Sequence, residues 1–320
     1  MRKRILLAIA ISSIAIILFA AVSVYDASPL IQNRFNFIIG VCTHGNKSSE
    51  MFAIKSGIKY FRTDITNTNQ QISLLDEEHA LGANYLGILD YSTLPNGLNN
   101  KNWSLNEWNE SIEKAVTEYP WINTWEIWNE PYVNMFQTGY MNGSAYNYYI
   151  MIKSASKIIK EHNPNATIVC FGGAPIGNEN VFLWYDEVWN YGSGKYCNAV
   201  SLHIYQNLPF SYGGLSSWAS WIDAYENMTK KPIWITEFGM PSASAIIPGL
   251  TQKGQNYFLL ESTFFFNKFT YIKRVYWYDL WGLSDGNAEN NFGLLNLTNP
   301  EGRPSIAWYN FTKIYNSSNA

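Results

Sequence analysis

Two glutamates close apolar, Trp-rich runs in this chain: Thr124-Trp-Glu-Ile-Trp-Asn-Glu130-Pro131 and Ile233-Trp-Ile-Thr-Glu237-Phe-Gly239. Alternation along an extended strand sends Glu126, Trp128 and Glu130 to one side. Pro131 stops ladder pairing directly after Glu130 and leaves that carboxylate at a strand end. Two carboxyl groups that converge on one bound atom can break a glycosidic bond. One protonates the leaving oxygen and the other attacks the anomeric carbon. The plainer reading is that each Glu caps a loop or pairs with an Arg. That reading fits a lone strand-end Glu, but two carboxylates after similar apolar runs favour chemistry.

Those runs belong to a repeating pattern. Strands are expected at Phe37–Cys42, Tyr60–Ile65, Asn84–Leu89, Thr124–Trp128, Thr167–Phe171, Ala199–Tyr205, Ile233–Phe238 and Arg274–Tyr278. Most are apolar on both faces, as strands covered by helices must be. Helical patterns alternate with them. Ser104 and Glu107 form a capping box that opens a helix ending before Pro120. Ser144 to His162 is amphipathic and stops at Asn163-Pro164. Ser216–Thr229, Thr251–Lys268 and Pro304–Tyr315 complete the set. Eight such units predict an α/β fold, a single-domain (β/α)8 TIM barrel over residues 31–320, with its site at the carboxyl ends of the strands. Strands four and seven are expected to face one another across the barrel. An open doubly wound sheet is the rival, weakened because no Gly-rich phosphate loop follows the first strand.

Composition narrows the partners. Of 320 residues 47% are apolar and only 15% charged, so a large core can form and a disordered chain is excluded. The formal charge of −3 offers no basic face for nucleic acid. Aromatic residues reach 16%, which suits sugar-like partners or a Trp-rich core. The four histidines, His44, His79, His162 and His203, are scattered one per unit, so no metal site and no cofactor are expected. Cys42, Cys170 and Cys197 allow one bridge in any pairing and leave one thiol free.

The N-terminus reads as an address. Arg2, Lys3 and Arg4 precede an apolar run over residues 5–24, so residues 1–30 are expected to be a signal peptide or an uncleaved membrane anchor. Either form leaves the remaining domain outside the cell, secreted or held at the outer face of the membrane. Glycosylation sequons at Asn46, Asn102, Asn109, Asn142, Asn165, Asn227, Asn296, Asn310 and Asn316 agree with that address.

The runs Trp125-Glu-Ile-Trp-Asn129-Glu130-Pro131 and Trp234-Ile-Thr-Glu237-Phe-Gly239 resemble the two signatures of the clan A retaining glycoside hydrolases, a cellulase- and β-glycosidase-like (β/α)8 superfamily. The resemblance extends in order and spacing over nearly the whole exported chain. It implies a β-glycosidase with Glu130 as acid/base, Glu237 as nucleophile, and Asn129 on the sugar 2-hydroxyl. In similar enzymes an Arg like Arg62 contacts the nucleophile, and a nearby cation lowers a carboxylate pKa. A structural Arg62–Asp64 pair is the alternative. His203 and Tyr205 end strand six, where clan members often place a His or Tyr beside the nucleophile or sugar. Trp277 resembles the platform beneath the sugar, with Trp281 the competing candidate.

Further expectations follow. His44, Asp90 and Tyr91 sit at the rim as possible sugar contacts, and Trp103, Trp108, Tyr132 and Phe136 could form a cleft or pack the loops. Burial and the charge of Glu237 are expected to raise the Glu130 pKa toward neutrality. The partner is a carbohydrate. Other readings are a non-catalytic glycan-binding protein, a metal-dependent hydrolase, and a structural cell-surface protein.

Overall fold

The computed structural model describes residues 35–205, 214–244, 250–283, 285, 287–296 and 304–319. The expected leader over residues 1–30 lies outside the described residues. Among those described, no helix is long and apolar enough to cross a membrane.

Eight parallel strands close into a barrel in sequence order. They are β1 (Ile38–Thr43), β2 (Tyr60–Asp64), β3 (Asn84–Leu89), β4 (Thr124–Ile127), β5 (Thr167–Pro175), β6 (Ala199–Tyr205), β7 (Ile233–Gly239) and β8 (Ile272–Trp277). The helices are α1 (Lys47–Lys55), α2 (Asn69–Ala80), α3 (Leu105–Glu118), α4 (Ala145–His162), α5 (Glu179–Asn190), α6 (Gly214–Thr229), α7 (Gln252–Phe266) and α8 (Ile306–Asn319). This is the expected (β/α)8 barrel.

Local sequence explains the helix starts. The Ser104 hydroxyl accepts from the Glu107 backbone N–H while the Glu107 carboxylate returns to the Ser104 N–H, so α3 opens in a capping box. Asn46, Thr68, Ser144, Asn178 and Thr251 cap five other helices with their side chains.

The barrel interior is filled, not hollow. Cys42, Leu86, Val169, Ala199, Trp234 and Tyr276 form an inner cluster. Arg274 covers the Trp234 ring at 4.5 Å and so plugs the floor. Gly40 makes room there, because a Cβ on it would lie 2.6 Å from the Tyr276 ring. Outward-facing residues pack against the helices in a larger apolar core. Cys170 and Cys197 are disulfide-bonded, leaving Cys42 free and buried.

One geometric expectation is corrected. In the ring order β4 is opposed by β8, and β5 and β6 lie between β4 and β7. The glutamates of β4 and β7 therefore cannot meet by simple opposition. Irregular backbone brings them together. Register shifts occur in β5/β6 between Cys170 and Ala174, and in β6/β7 between Leu202 and His203. Such bulges re-aim side chains at a barrel rim.

Candidate active site

β7 carries Glu237 to the rim on a strand buried at every position. Two partners fix this carboxylate. Arg62 Nη1 donates to its Oε1 at 2.5 Å, and the Tyr205 hydroxyl donates to its Oε2. Arg62 is itself 1% exposed and anchored from behind, with Nε donating to Glu126 Oε2 at 2.6 Å. Thr236 Oγ1 donates to the other Glu126 oxygen at 2.9 Å. A buried charge without a partner is expensive, and this chain of contacts satisfies both carboxylates around one guanidinium. Arg62 thus joins Glu126 and Glu237, and Asp64 turns instead to His44, with Oδ2 at 3.1 Å from Nδ1.

β4 behaves differently. The strand ends at Ile127, and Trp128 and Glu130 take positive φ values of 68° and 46°. These are unusual for side chains of this size and mark stored local strain. The turn breaks the expected alternation. Glu126 and Glu130 face the site, whereas Trp128 packs against Trp103 and Trp108 at 5.6 and 5.7 Å. Those three indoles are fully buried, so Trp103 and Trp108 support the β4 loop and line no cleft. The Glu130 N–H donates to Gly172 O at 2.6 Å, tying the turn to the bulged end of β5.

His203 on β6 bridges the two acids. Its Nδ1 lies 2.9 Å from Glu130 Oε1 and 3.4 Å from Glu237 Oε2. Gly173 permits this placement. It has φ +80°, and a Cβ there would lie 2.0 Å from His203 Nε2. One oxygen of Glu130, one of Glu237 and a ring nitrogen of His203 all lie within 4.8 Å of one another. Arg62 Nη2 also donates to Asn129 Oδ1 at 3.0 Å, which leaves the Asn129 amide N–H groups free to donate.

Three donor atoms this close raise the question of a metal. The acceptors are largely spent, because Glu237 already faces a guanidinium and a hydroxyl, and Glu130 accepts from His203. A second cation beside Arg62 would be repelled, so the donor set fits proton chemistry better than metal binding.

Neither tryptophan expected beneath the sugar lines the cavity. β8 ends at Trp277, so pleating turns Tyr276 inward and Trp277 outward. Trp277 is fully buried against Phe238 at 5.3 Å, and its Nε1 donates to Phe292 O at 3.3 Å. Trp281 pairs with Leu295 in a two-stranded ladder and does not line the cavity. Tyr278 lines the cavity instead. It lines one wall with Tyr205 and Phe292, in edge contact with them at 5.9 and 5.4 Å. Tyr91 and Phe136 stack at 5.3 Å on the other wall. Between them Arg62, Asn129, Glu130 and Glu237 face a cavity of about 410 Å³, within the usual range for small ligands. Tyr132 reaches Glu130 at 3.5 Å. Asp90, expected at the rim, is buried and lies behind the lining residues.

Burial pushes the Glu130 carboxyl up, but the hydrogen bond and charge of His203, with the Arg62 charge, outweigh it and hold the pKa below the ordinary value. The expected rise is not found, because the strand pattern did not show that His203 reaches Glu130 itself. His44 shows the opposite balance. Burial lowers its pKa, yet Asp279 and Asp64 overcome that and raise it to about 10. Asp279, whose Oδ2 is 3.7 Å from His44 Nε2, is pushed up by burial to about 7. Glu126, Tyr278, Asp279, Glu289 and Phe292 are site groups to which sequence reasoning gave no role. The only signal for Tyr278 was its place one residue beyond the expected platform.

Comparison with known proteins agrees with this geometry. Residues 75–309 match the family model described as glycosyl hydrolase catalytic core. No curated protein matches the sequence. Among solved structures, a family 39 glycoside hydrolase from the gut symbiont Bacteroides cellulosilyticus is similar at TM-score 0.64 and 21% identity, covering 88% of this chain and 64% of its own. A family 2 β-galacturonidase from Eisenbergiella tayi aligns at TM-score 0.60 and 17% identity, over 89% of this chain and 51% of its own. A family 1 β-glucosidase from Thermotoga maritima aligns at TM-score 0.64 and 12% identity, over 89% and 99%. The chain thus spans between half and two thirds of the first two, and at these identities the likeness speaks for the fold. The family match covers most of the chain, which belongs to the glycosyl hydrolase catalytic core family.

Proposed function

We propose that this protein is a retaining glycosidase that hydrolyses β-linked oligo- or polysaccharides by double displacement. The observation that carries the reading is the spacing of Glu130 and Glu237, whose nearest oxygens lie within 4.8 Å. Carboxyl groups about 5–5.5 Å apart leave no room for a water between them, so one must attack directly.

Glu237 is the nucleophile. Arg62 and Tyr205 hold both of its oxygens, which aims the carboxylate. It attacks the anomeric carbon, forming the glycosyl ester bond, as Glu130 gives its proton to the departing oxygen. Glu130 then takes a proton from water, whose oxygen attacks the same carbon and releases Glu237. Glu130 must be protonated when the sugar arrives. A bound sugar displaces water from the cavity, and that desolvation favours the neutral acid. The Asn129 amide is placed to hydrogen-bond the 2-hydroxyl. Tyr278 replaces Trp277 as the proposed platform. The neighbours named above include enzymes of neutral and of acidic sugars, so likeness leaves the sugar open. Residues 1–30 are proposed to direct the domain outside the cell, by export or anchoring.

The deciding test assays the domain beyond residue 30 on aryl β-glycosides, beside Glu237→Ala with added azide. Loss of turnover in the variant with partial rescue by azide is expected. Tight sugar binding without turnover in either protein would favour a non-catalytic glycan-binding role.

A further inference from the structure

We infer that the cavity selects sugars without a carboxylate, neutral or aminated, and that Glu289 is a specificity-determining residue that turns uronic acids away. The inference rests on the glycosidase reading above and concerns the charge of the sugar it accepts.

An enzyme that binds a uronic acid must offer its carboxylate a free cation, since an unpaired charge in a desolvated site is costly. Among the described residues that line the cavity two are cationic, Arg62 and His44, and both are already engaged. Arg62 commits Nε to Glu126, Nη1 to Glu237 and Nη2 to Asn129. His44 lies between Asp64 at 3.1 Å and Asp279 at 3.7 Å. Against them the lining carries four carboxylates, Asp64, Glu130, Glu237 and Glu289.

Glu289 is the one of these four with no cation facing it among the described residues. It is exposed, sits on the segment after β8, and borders the cavity beside Tyr278 and Phe292. Its backbone N–H is held by the Asn287 side chain at 3.2 Å, which fixes that short turn at the mouth.

The surrounding loops repeat the pattern. Between each strand end and the next helix, the sequence has only Lys101 and Arg303 as lysine or arginine. Lys101 is absent from the cavity lining and Arg303 lies outside the described residues. The same segments carry Asp90, Glu130, Asp279, Asp285, Glu289 and Glu301. A sugar carboxylate would therefore meet like charge on approach and find no unengaged cation among the described lining residues. A sugar hydroxyl or ammonium meets acceptors. Discrimination by an uncompensated charge is a common route to specificity.

The test compares 4-nitrophenyl β-glucoside with the β-glucuronide, and the β-galactoside with the β-galacturonide, on the full chain. The leaving group is constant, so kcat/KM reports the sugar. The neutral member of a pair is expected to exceed its uronide by about 100-fold, as like-charge contact implies. A ratio under tenfold for the better pair overturns the inference. Glu289→Arg should shift that ratio toward the uronide by about tenfold, and an unchanged ratio removes Glu289 from the argument. If no glycoside turns over, the glycosidase reading fails, and binding decides this one separately. Thermal shift with an iminosugar and its carboxylated counterpart supports the inference if only the former stabilises the protein. Equal stabilisation, preference for the carboxylated form, or none from either overturns it.

Discussion

Two pairs of glutamates lie close together in the molecule, and they differ in what surrounds them. Glu50 on α1 and Glu78 on α2 are fully buried and meet only neutral donors. Thr43 Oγ1 and Gly45 N donate to Glu50, and the Tyr85 hydroxyl donates to Glu78. No cation pairs with Glu50 or Glu78 among the described residues, and burial raises the Glu50 pKa. Burial, and then the Glu50 charge, push the Glu78 pKa up to about 8. Glu130 and Glu237 instead face Arg62, His203 and an open cavity. The lesson is that proximity of two carboxyl groups does not make a reactive pair. A resident cation and access to substrate do, because they permit ionisation and give the proton somewhere to go.

The sharpest way to break this contrast is to neutralise one acid in each pair. Glu237→Gln should lower kcat/KM by about 10,000-fold or more, as loss of a catalytic nucleophile does. Glu130→Gln should cost about 100- to 10,000-fold on substrates with poor leaving groups. Glu78→Gln should leave kcat/KM within about threefold. A large loss in the last variant, measured on folded protein, would sink the distinction.

Removing the cation should blur it next. Arg62→Met leaves Glu126 buried without its partner, at a cost of about 3–5 kcal/mol in unfolding free energy. Chemical denaturation measures this, and a loss under 1 kcal/mol would show that the buried network contributes little. Chelator treatment should leave activity unchanged, since the acidic pair is already served by Arg62 and His203.

A smaller effect concerns pH and stability. The Glu78 pKa is raised in the folded state from an ordinary 4.5 to about 8. The folded form therefore binds the extra proton, and its contribution to stability is complete below about pH 4.5 and lost as pH rises through 8. Unfolding measured across this window should flatten in Glu78→Gln relative to wild type. An unchanged slope would remove the raised Glu78 pKa from the account.

The finest test is kinetic. Glu130 donates only when protonated, and its free-state pKa lies below the ordinary value. The alkaline limb of kcat/KM should thus fall in the acid range, with the limb of kcat at higher pH once sugar excludes water. His203→Ala removes the hydrogen bond that holds Glu130 down and should move the kcat/KM limb upward. A limb that stays in place would assign it to another group.

Much of the barrel was legible because local rules decide it. The Ser104–Glu107 capping box, the apolar β runs and the Pro after Glu130 act within a few residues, and β3 and β6 begin and end where their sequences say. Errors gathered where the backbone leaves regular geometry. The strand pattern carried Glu126, Trp128 and Glu130 to one face, but the positive φ at Trp128 turned its indole into the core. It carried β8 one residue too far, and a single step of the pleat exchanged Trp277 for Tyr278. The Cys170–Cys197 pairing joins neighbouring units that spacing could not choose.

By itself the sequence determined the eight-unit architecture and the two strand-end glutamates, because each is a matter of local pattern. Only the tertiary structure decided that β4 and β7 meet through bulges and not by opposition, that Arg62 joins Glu126 to Glu237, and that Glu130 sits below its ordinary pKa. Those are distances between residues up to 175 positions apart. The interaction of charges depends on such distances and on burial, and neither is written in any one stretch of chain.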